Sequence, residues 1–421
     1  MDSLAFLAGF LLFYLPLLIA AGSCLYHLAV AFAALQFHLQ REDSADFTPP
    51  VSILKPVQGI EQNFYASLAS HFAQDYPIFE IIFGVSDPKD PAHWTLAQLQ
   101  RDFPQVPVKV VTVPESCGAN PFGINPAGIN PAGMNPKMSK LQRMLEAASH
   151  EIVVISDADI RVERDYLRRV VQPLADERVG LVTCLYRGVP ARGLWSVLEA
   201  LGISGDFAGQ VLLARLVQGV RFGLGATLVT RKKQIAQIGG LAKWADYLAD
   251  DYILGNQIAE AGYRVHLSHT VVETMLPYRT AAETIRQQLR WARTIRACSP
   301  RGYPGLLLTF GVPLALLALL VRPHSLPAAA TLAFVLGARW LAAWVSGDLV
   351  CRDRLVWKYF WLLPLRDLFA LGVWVASFFG RDVVWREARF RLEPGGKIRP
   401  AGMQKKSGVR SQNDVNPRRN R

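Results

Sequence analysis

Long apolar runs stand near the two ends of the chain, and shorter apolar and amphipathic segments alternate between them. Residues 5–35 are nearly continuous apolar sequence with no Asp, Glu, Lys or Arg, broken by Pro16 and Gly22. The run is longer than a signal-peptide core and has no basic stretch ahead of it, so it predicts an uncleaved transmembrane helix. A polar linker (36–50) follows, and three more apolar segments, 304–321, 327–346 and 359–379, precede the tail. The first two, joined by RPHSL, predict a hairpin. The third contains Arg366 and Asp367, opposite charges that lipid tolerates only when they are paired inside a bundle. Arg352, Arg354 and Lys358 mark the loop before it as cytoplasmic. If all three segments spanned, that loop and the basic tail would lie on opposite sides, against the positive-inside tendency.

Between the ends the period changes. VSILKPV (51–57), FEIIFGVSD (79–87) and VPVKVVTV (106–113) read as short buried strands separated by amphipathic helices. That rhythm argues for a parallel sheet with right-handed crossovers. GINPA, GINPA, GMNPK (123–137) puts Gly and Asn-Pro every five residues, which excludes helix and regular strand and predicts a mobile loop. EIVVISDADIRV (151–162), VGLVTCLYRG (179–188), FGLGATLVTRK (222–232) and YRVHLSHTVVET (263–274) add strands. The apolar helical stretch 194–220 reads as core or as a helix on the membrane surface. His266 and His269 flank the last strand and read as structural.

Composition sharpens the division. Of 421 residues 51% are hydrophobic, and the net charge is +12. Twelve Lys/Arg against four Asp/Glu fall between Arg381 and Arg421, a basic tail expected to be partly disordered and to attract anionic membrane lipids. No nucleic-acid-binding signature accompanies it, so no nucleic-acid partner is expected. The five cysteines are scattered without metal-ligand spacing, which fits a reducing compartment. Four regions result: an anchor at 1–40, an α/β domain at 48–300, hydrophobic segments at 301–380 and the tail at 381–421.

Candidate chemistry gathers where strands end. The run Ile152–Ile155 stops at Asp157 and Asp159, one residue apart, at the carboxyl end where open α/β sheets bind ligands. Alternate side chains share a face, and two like charges there call for a cation such as Mg2+ or Mn2+ bridging to a diphosphate. Asp87 ends the second strand, with Asp90 just beyond. Asp250 and Asp251 open a helix, where their charge suits the dipole. Gln287, Arg290 and Trp291 share a helix with Arg293 and Arg296, which could face lipid phosphates. A metal-held diphosphate leaving group, a carboxylate base and a cationic clamp together fit sugar transfer from a nucleotide diphosphate sugar to a hydroxyl.

These motifs resemble the ceramide glucosyltransferase family, lipid-directed inverting glycosyltransferases of GT-A type. The residues carrying the likeness are SILKPVQG (52–59), VSDPKDPA (85–92), GMNPK (133–137), ISDADIRV (155–162), ADDY (249–252) and QQLRW (287–291). CLYRG, GLWS and RWARTIR look nearest to bacterial hopanoid-biosynthesis members, which add an N-acetylhexosamine to a hopanoid. The resemblance implies a Rossmann-like, mostly parallel GT-A sheet with terminal transmembrane helices, in a multi-pass protein of the bacterial cytoplasmic membrane. Its catalytic domain would face the cytoplasm. Asp251 would be the catalytic base, and Asp87, Lys137 and Asp157 would bind the donor nucleotide. Asp157 and Asp159 would hold Mg2+ or Mn2+, and Gln287, Arg290 and Trp291 would clamp diphosphate and acceptor. The donor would be a UDP-sugar, and the acceptor a membrane lipid such as bacteriohopanetetrol or ceramide. The family usually reads DSG where this chain has DAD, so Asp159 follows the wider GT-A pattern. Two other readings stand beside this one: a processive polysaccharide synthase, which needs more membrane helices, and a non-catalytic nucleotide-sugar or lipid-binding module.

Overall fold

A computed structural model describes residues 2–40, 46–113, 134–385 and 388–401. The GINPA repeats and residues 402–421 of the tail lie outside them.

The middle of the chain folds around one sheet. Its strands are β1 (Val51–Pro56), β2 (Phe79–Val85), β3 (Val108–Thr112), β4 (Ile152–Ile155), β5 (Ile160–Arg161), β6 (Val179–Pro190), β7 (Leu228–Arg231) and β8 (Arg264–Leu276), ordered β3-β2-β1-β4-β7-β6-β8-β5. β3, β2, β1 and β4 run parallel, as do β6 and β8. β7 is antiparallel to both its neighbours, and the short β5 is antiparallel to β8. This is the mostly parallel α/β sheet that the strand-helix rhythm predicts. Both faces are covered: Ile53 and Val154 enter one core and Leu54 and Val153 the other, so alternate residues of each strand serve opposite layers.

Among the described residues four helices are long and apolar enough to cross a membrane: Phe10–Leu39, Leu194–Gln218, Leu326–Val350 and Phe360–Ser377. A fifth candidate, Tyr303–Thr309 with Gly311–Val321, is bent by 64°. Pro16 does not break the first helix, which runs unbroken from Asp2 to Leu39. The apolar stretch 194–218 is the most buried of these four.

Arg366 and Asp367 are paired inside a bundle, as lipid demands. Asp367 accepts from Nε of the buried Arg339 at 3.0 and 3.1 Å and from its Nη2 at 3.0 Å. Asp206 neutralises the remaining charge, pairing with Arg339 and, at 3.5 Å, with Arg366. Two acids thus balance two arginines drawn from three helical segments.

The last apolar segment is tied to the α/β domain on either side of it. Before it, the Cys351 carbonyl accepts from Arg187 at the end of β6, at 3.3 Å. After it, the carbonyls of Phe379, Gly380 and Asp382 accept from Arg293 and Arg296 at 2.6–2.7 Å. Those arginines therefore staple chain to chain rather than face lipid phosphates. The helix Leu363–Ser377 is 15 residues long, roughly 22 Å against a hydrocarbon core of about 30 Å. Both its ends are hydrogen-bonded to the same α/β domain.

Part of the stretch read as a basic tail is folded. β9 (Asp382–Trp385), β10 (Ala388–Leu392) and β11 (Ile398–Pro400) form an antiparallel sheet. Phe390, Leu392 and Ile398 alternate with Arg389, Arg391 and Arg399, and the apolar set packs with Val383 on Leu248. The high charge masked a period-two pattern.

Replacing Arg339 with Met leaves Asp206 and Asp367 underbalanced, and thermal unfolding in detergent is expected to show a loss of about 3–5 kcal/mol. Single cysteines placed at Arg352 and Arg399 in an otherwise cysteine-free chain are expected to label from the same side of sealed vesicles. Labelling from opposite sides would mean that the last helix spans.

Candidate active site

β4 delivers Asp157 and Asp159 just past the carboxyl edge of the sheet. Lys137 meets them from the helix Pro136–Ala147, whose start is set by Asn135: its side chain accepts from the Lys137 and Met138 amides, and Pro136 follows at the first helical position. Lys137 Nζ lies 2.8 Å from Asp157 Oδ1 and 3.1 Å from Asp250 Oδ2. Burial works against its charge, but Asp157 and Asp250 outweigh burial and raise the ammonium above the usual lysine range. Asp159 is pushed upward by burial and by Asp157, while the Thr274 hydroxyl, donating at 2.7 Å, opposes the shift.

Asp251 faces this group from the helix Asp250–Glu260. Its carboxylate accepts from the Gly225 and Tyr252 amides, both at 2.8 Å. Burial and Asp250 push it up to about 6, against the pull of Lys137. A Cβ on Gly225 would stand 3.1 Å from Asp251 Oδ2 and 3.4 Å from Asp157 Oδ2, so the two carboxylates face one another across a gap that glycine keeps open.

The loop before Asp250 is gripped from two sides. Asn135 binds it through backbone and side chain, to the carbonyls of Ala245 (2.7 Å) and Tyr247 (2.9 Å). The β10–β11 turn holds the other side, with Leu248 N donating to Gly396 O and Ile398 N to Asp246 O.

Lys55 escaped the sequence reading. It is fully buried in β1, and its Nζ reaches His71 Nε2 and Ser156 Oγ at 3.1 Å and the Asp157 carbonyl at 2.8 Å. Burial pushes it down to about 7, with Asp159 and Asp157 pulling the other way. The signal was a lysine inside an otherwise apolar strand. Asp250 was read as a helix-start acid, yet it is the second partner of Lys137.

Other predicted residues sit further off. Asp87 is exposed two residues beyond β2, accepting from the Lys89 amide at 2.8 Å. β2 and β4 flank β1 in parallel, which sets Asp87 and Asp157 past the same edge of the sheet. Asp90 is structural: both its oxygens accept from the Gly59 amide. Gln287, Arg290 and Trp291 are half-buried on the helix Ala281–Cys298 and, among the described residues, make no hydrogen bond to the acids. Arg290 feels Glu199 and Arg279, and burial, followed by Arg279, pushes it down to about 10. Cys298, at the end of that helix, feels the charge of Asp251 and is pushed up to about 11, mainly by burial. His269 is structural, stacking on Phe37 at 4.1 Å between ring centroids.

The acid pair fits a divalent cation in its donor chemistry. Both donors are carboxylates, and the buried Asp159 carries an excess of negative surroundings that a hard cation relieves. Among the described residues no group of three or more His, Cys, Asp or Glu forms a cation cage. A nucleotide-associated Mg2+ takes only one or two carboxylates and draws its other ligands from phosphate and water.

Comparison with known proteins follows this geometry. The model described as Glycosyl transferase family 21 matches residues 15–125 and 127–398. Ceramide glucosyltransferase 3 of Caenorhabditis elegans is 24% identical over 90% of this chain and 80% of its own length. Ceramide glucosyltransferase 1 of the same organism is 22% identical over 91% and 81%. Among solved structures, the mannosyltransferase PcManGT from Pyrobaculum calidifontis in complex with GDP-Man and Mn2+ is 21% identical, covering 86% of this chain and 99% of that one, at a TM-score of 0.44.

Substituting Gly225 with Ala narrows the gap between Asp157 and Asp251 by a methyl group. Sugar transfer is expected to fall about tenfold with little change in the unfolding temperature, because small misplacements of reacting groups are costly. Steady-state rates beside a melting curve check this.

Proposed function

The chain belongs to glycosyl transferase family 21, and on that premise we propose an inverting transfer of a hexose or N-acetylhexosamine from a UDP-sugar to a membrane-lipid hydroxyl. The acceptor is a hopanoid such as bacteriohopanetetrol, or ceramide, the lipid named in its curated relatives. The observation that carries this reading is Asp251. A carboxylate titrating near neutrality, oriented by two amides and set across a small gap from the acid pair, suits a general base.

In this mechanism Asp251 takes the proton of the acceptor hydroxyl as its oxygen attacks the anomeric carbon. The bond from that carbon to the diphosphate oxygen breaks on the opposite face, giving inversion. Lys137 and Arg290 offer positive charge to the departing diphosphate. Asp157 and Asp159 would hold Mg2+ or Mn2+, which supplies further neutralisation of that charge when bound. Asp87, on the same sheet edge, contacts the nucleoside. Gln287 and Trp291 close the acceptor side.

The apolar helices fit a multi-pass protein of the bacterial cytoplasmic membrane. Arg352, Arg354 and Lys358 favour a cytoplasmic catalytic domain, and the basic residues beyond Arg381 favour contact with anionic headgroups.

Purified protein in nanodiscs, supplied with Mg2+ or Mn2+, UDP-glucose or UDP-N-acetylglucosamine, and bacteriohopanetetrol or ceramide, tests the proposal by mass spectrometry of the lipid. A glycosylated lipid is expected, lost with chelator and reduced at least ~10³-fold in Asp251→Asn while donor binding persists. Lipid transfer undiminished in Asp251→Asn would leave a different base, and no turnover of either donor by folded protein would end the enzyme reading.

The base must be deprotonated, so kcat/KM is expected to rise with pH through about 6 and level above it. Asp250, Lys137 and Asp157 are the charged groups around Asp251 that set this limb, with the Tyr186 phenol and the Cys298 thiol also feeling its charge. An Asp250→Asn variant, relieved of one negative neighbour, is expected to shift the limb to lower pH.

A further inference from the structure

A second charged set borders the acid cluster. Glu199, on the helix Leu194–Gly202, has a side chain only 1% exposed, and its Oε2 pairs with Arg279 Nη1. Arg279 lies in the short segment between β8 and the helix that carries Arg290. That segment is fixed at both ends. Ser196 Oγ, from the helix of Glu199, donates to the Pro277 carbonyl at 2.9 Å. Thr280 forms a reciprocal cap with Glu283.

Arg290 is half-buried near this pair and, among the described residues, has no ion pair of its own. Glu199 is thus ion-paired to Arg279 alone, while Arg290 feels both of their charges without contacting either. Geometry sets this group beside the acids: just ahead of Arg279 in the chain, the Thr274 hydroxyl and the Met275 amide donate to Asp159 at 2.7 and 3.1 Å, and Tyr186 packs with Ala200 and Leu276. An excess of positive charge in a poorly hydrated place is costly until a further anion joins it. Guanidinium forks suit phosphate oxygens in particular, and Arg279 has donors beyond the one spent on Glu199.

Resting on the glycosyl-transfer reading, we propose that Arg279 joins Arg290 in a two-armed clamp for the diphosphate leaving group. In this clamp Glu199 holds Arg279 in place and offsets one of its two charges, so that the product nucleotide can leave. Arg279 lies outside the QQLRW segment and is a binding residue of this chain; Glu199 is a positioning residue.

Isothermal titration of UDP and of uridine into the full chain in nanodiscs, with Mg2+ present, tests this. Wild type is expected to bind UDP more tightly than uridine. Arg279→Met is expected to weaken UDP about tenfold and leave uridine unchanged, as loss of a charge-assisted contact predicts. Glu199→Gln keeps a hydrogen-bond acceptor but removes the offsetting charge. It is expected to tighten UDP by about threefold and to lower kcat through slower release.

A pair that merely braced the fold would move both variants in the same direction, and that result, or no shift in either, overturns the clamp. Should Arg279→Met not fold, Arg279→Lys with Glu199→Gln decides on the same opposite-sign criterion. Wild-type UDP binding no tighter than uridine would instead strike at the glycosyl-transfer reading itself.

Discussion

Negative charge crowded at the end of β4 is the constraint from which the site follows. Asp157, Asp159, Asp250 and Asp251 come from two elements and converge where burial disfavours any bare charge. Only cations make that arrangement tolerable. Lys137 binds two of the acids directly, while Lys55 lies beneath, hydrogen-bonded to the backbone that carries the pair. The balance is incomplete by construction: Asp251 is left near neutrality, where a carboxylate can both accept and release a proton.

The same problem is solved differently among the apolar helices. There Asp206 and Asp367 are matched by Arg339 and Arg366, and the result is closed and structural. Elsewhere in the α/β domain Glu199 is paired with Arg279, while Arg290 close by has no ion pair among the described residues. Matched charge locks parts together, and unmatched charge waits for a ligand.

Position in the site is secured by chain from distant regions. Asp250 and Asp251 are held by the segment that also carries Lys137, and by a turn of the C-terminal sheet some 150 residues later in sequence. Gly396, at a φ of 86°, allows that turn to press against Cys298 on the helix that bears Arg290. The loop before Asp250 and the helix that bears Arg290 both meet the C-terminal sheet, and the last apolar helix is hydrogen-bonded to the α/β domain at both ends.

Much of this was written in local sequence. Apolar runs ending at acids placed strands and their active edge, because a buried strand and a charged terminus have plain hydropathy signatures. The family motifs put Asp157, Asp159, Lys137 and Asp251 on one list, and the fold brings those four together. What local pattern could not carry was pairing across the chain. Lys55 looks like an interruption of a strand until Asp157 is seen above it, and Asp250 like a capping acid until Lys137 reaches it. Arg293 and Arg296 look like lipid contacts until the carbonyls of Phe379, Gly380 and Asp382 meet them. The C-terminal sheet hid behind its net charge, since a short amphipathic strand is indistinguishable from a basic tail without its partner. Hydropathy and charge order are properties of neighbours in sequence, whereas the compensation of a buried charge depends on which distant group the fold brings within about 3 Å of it.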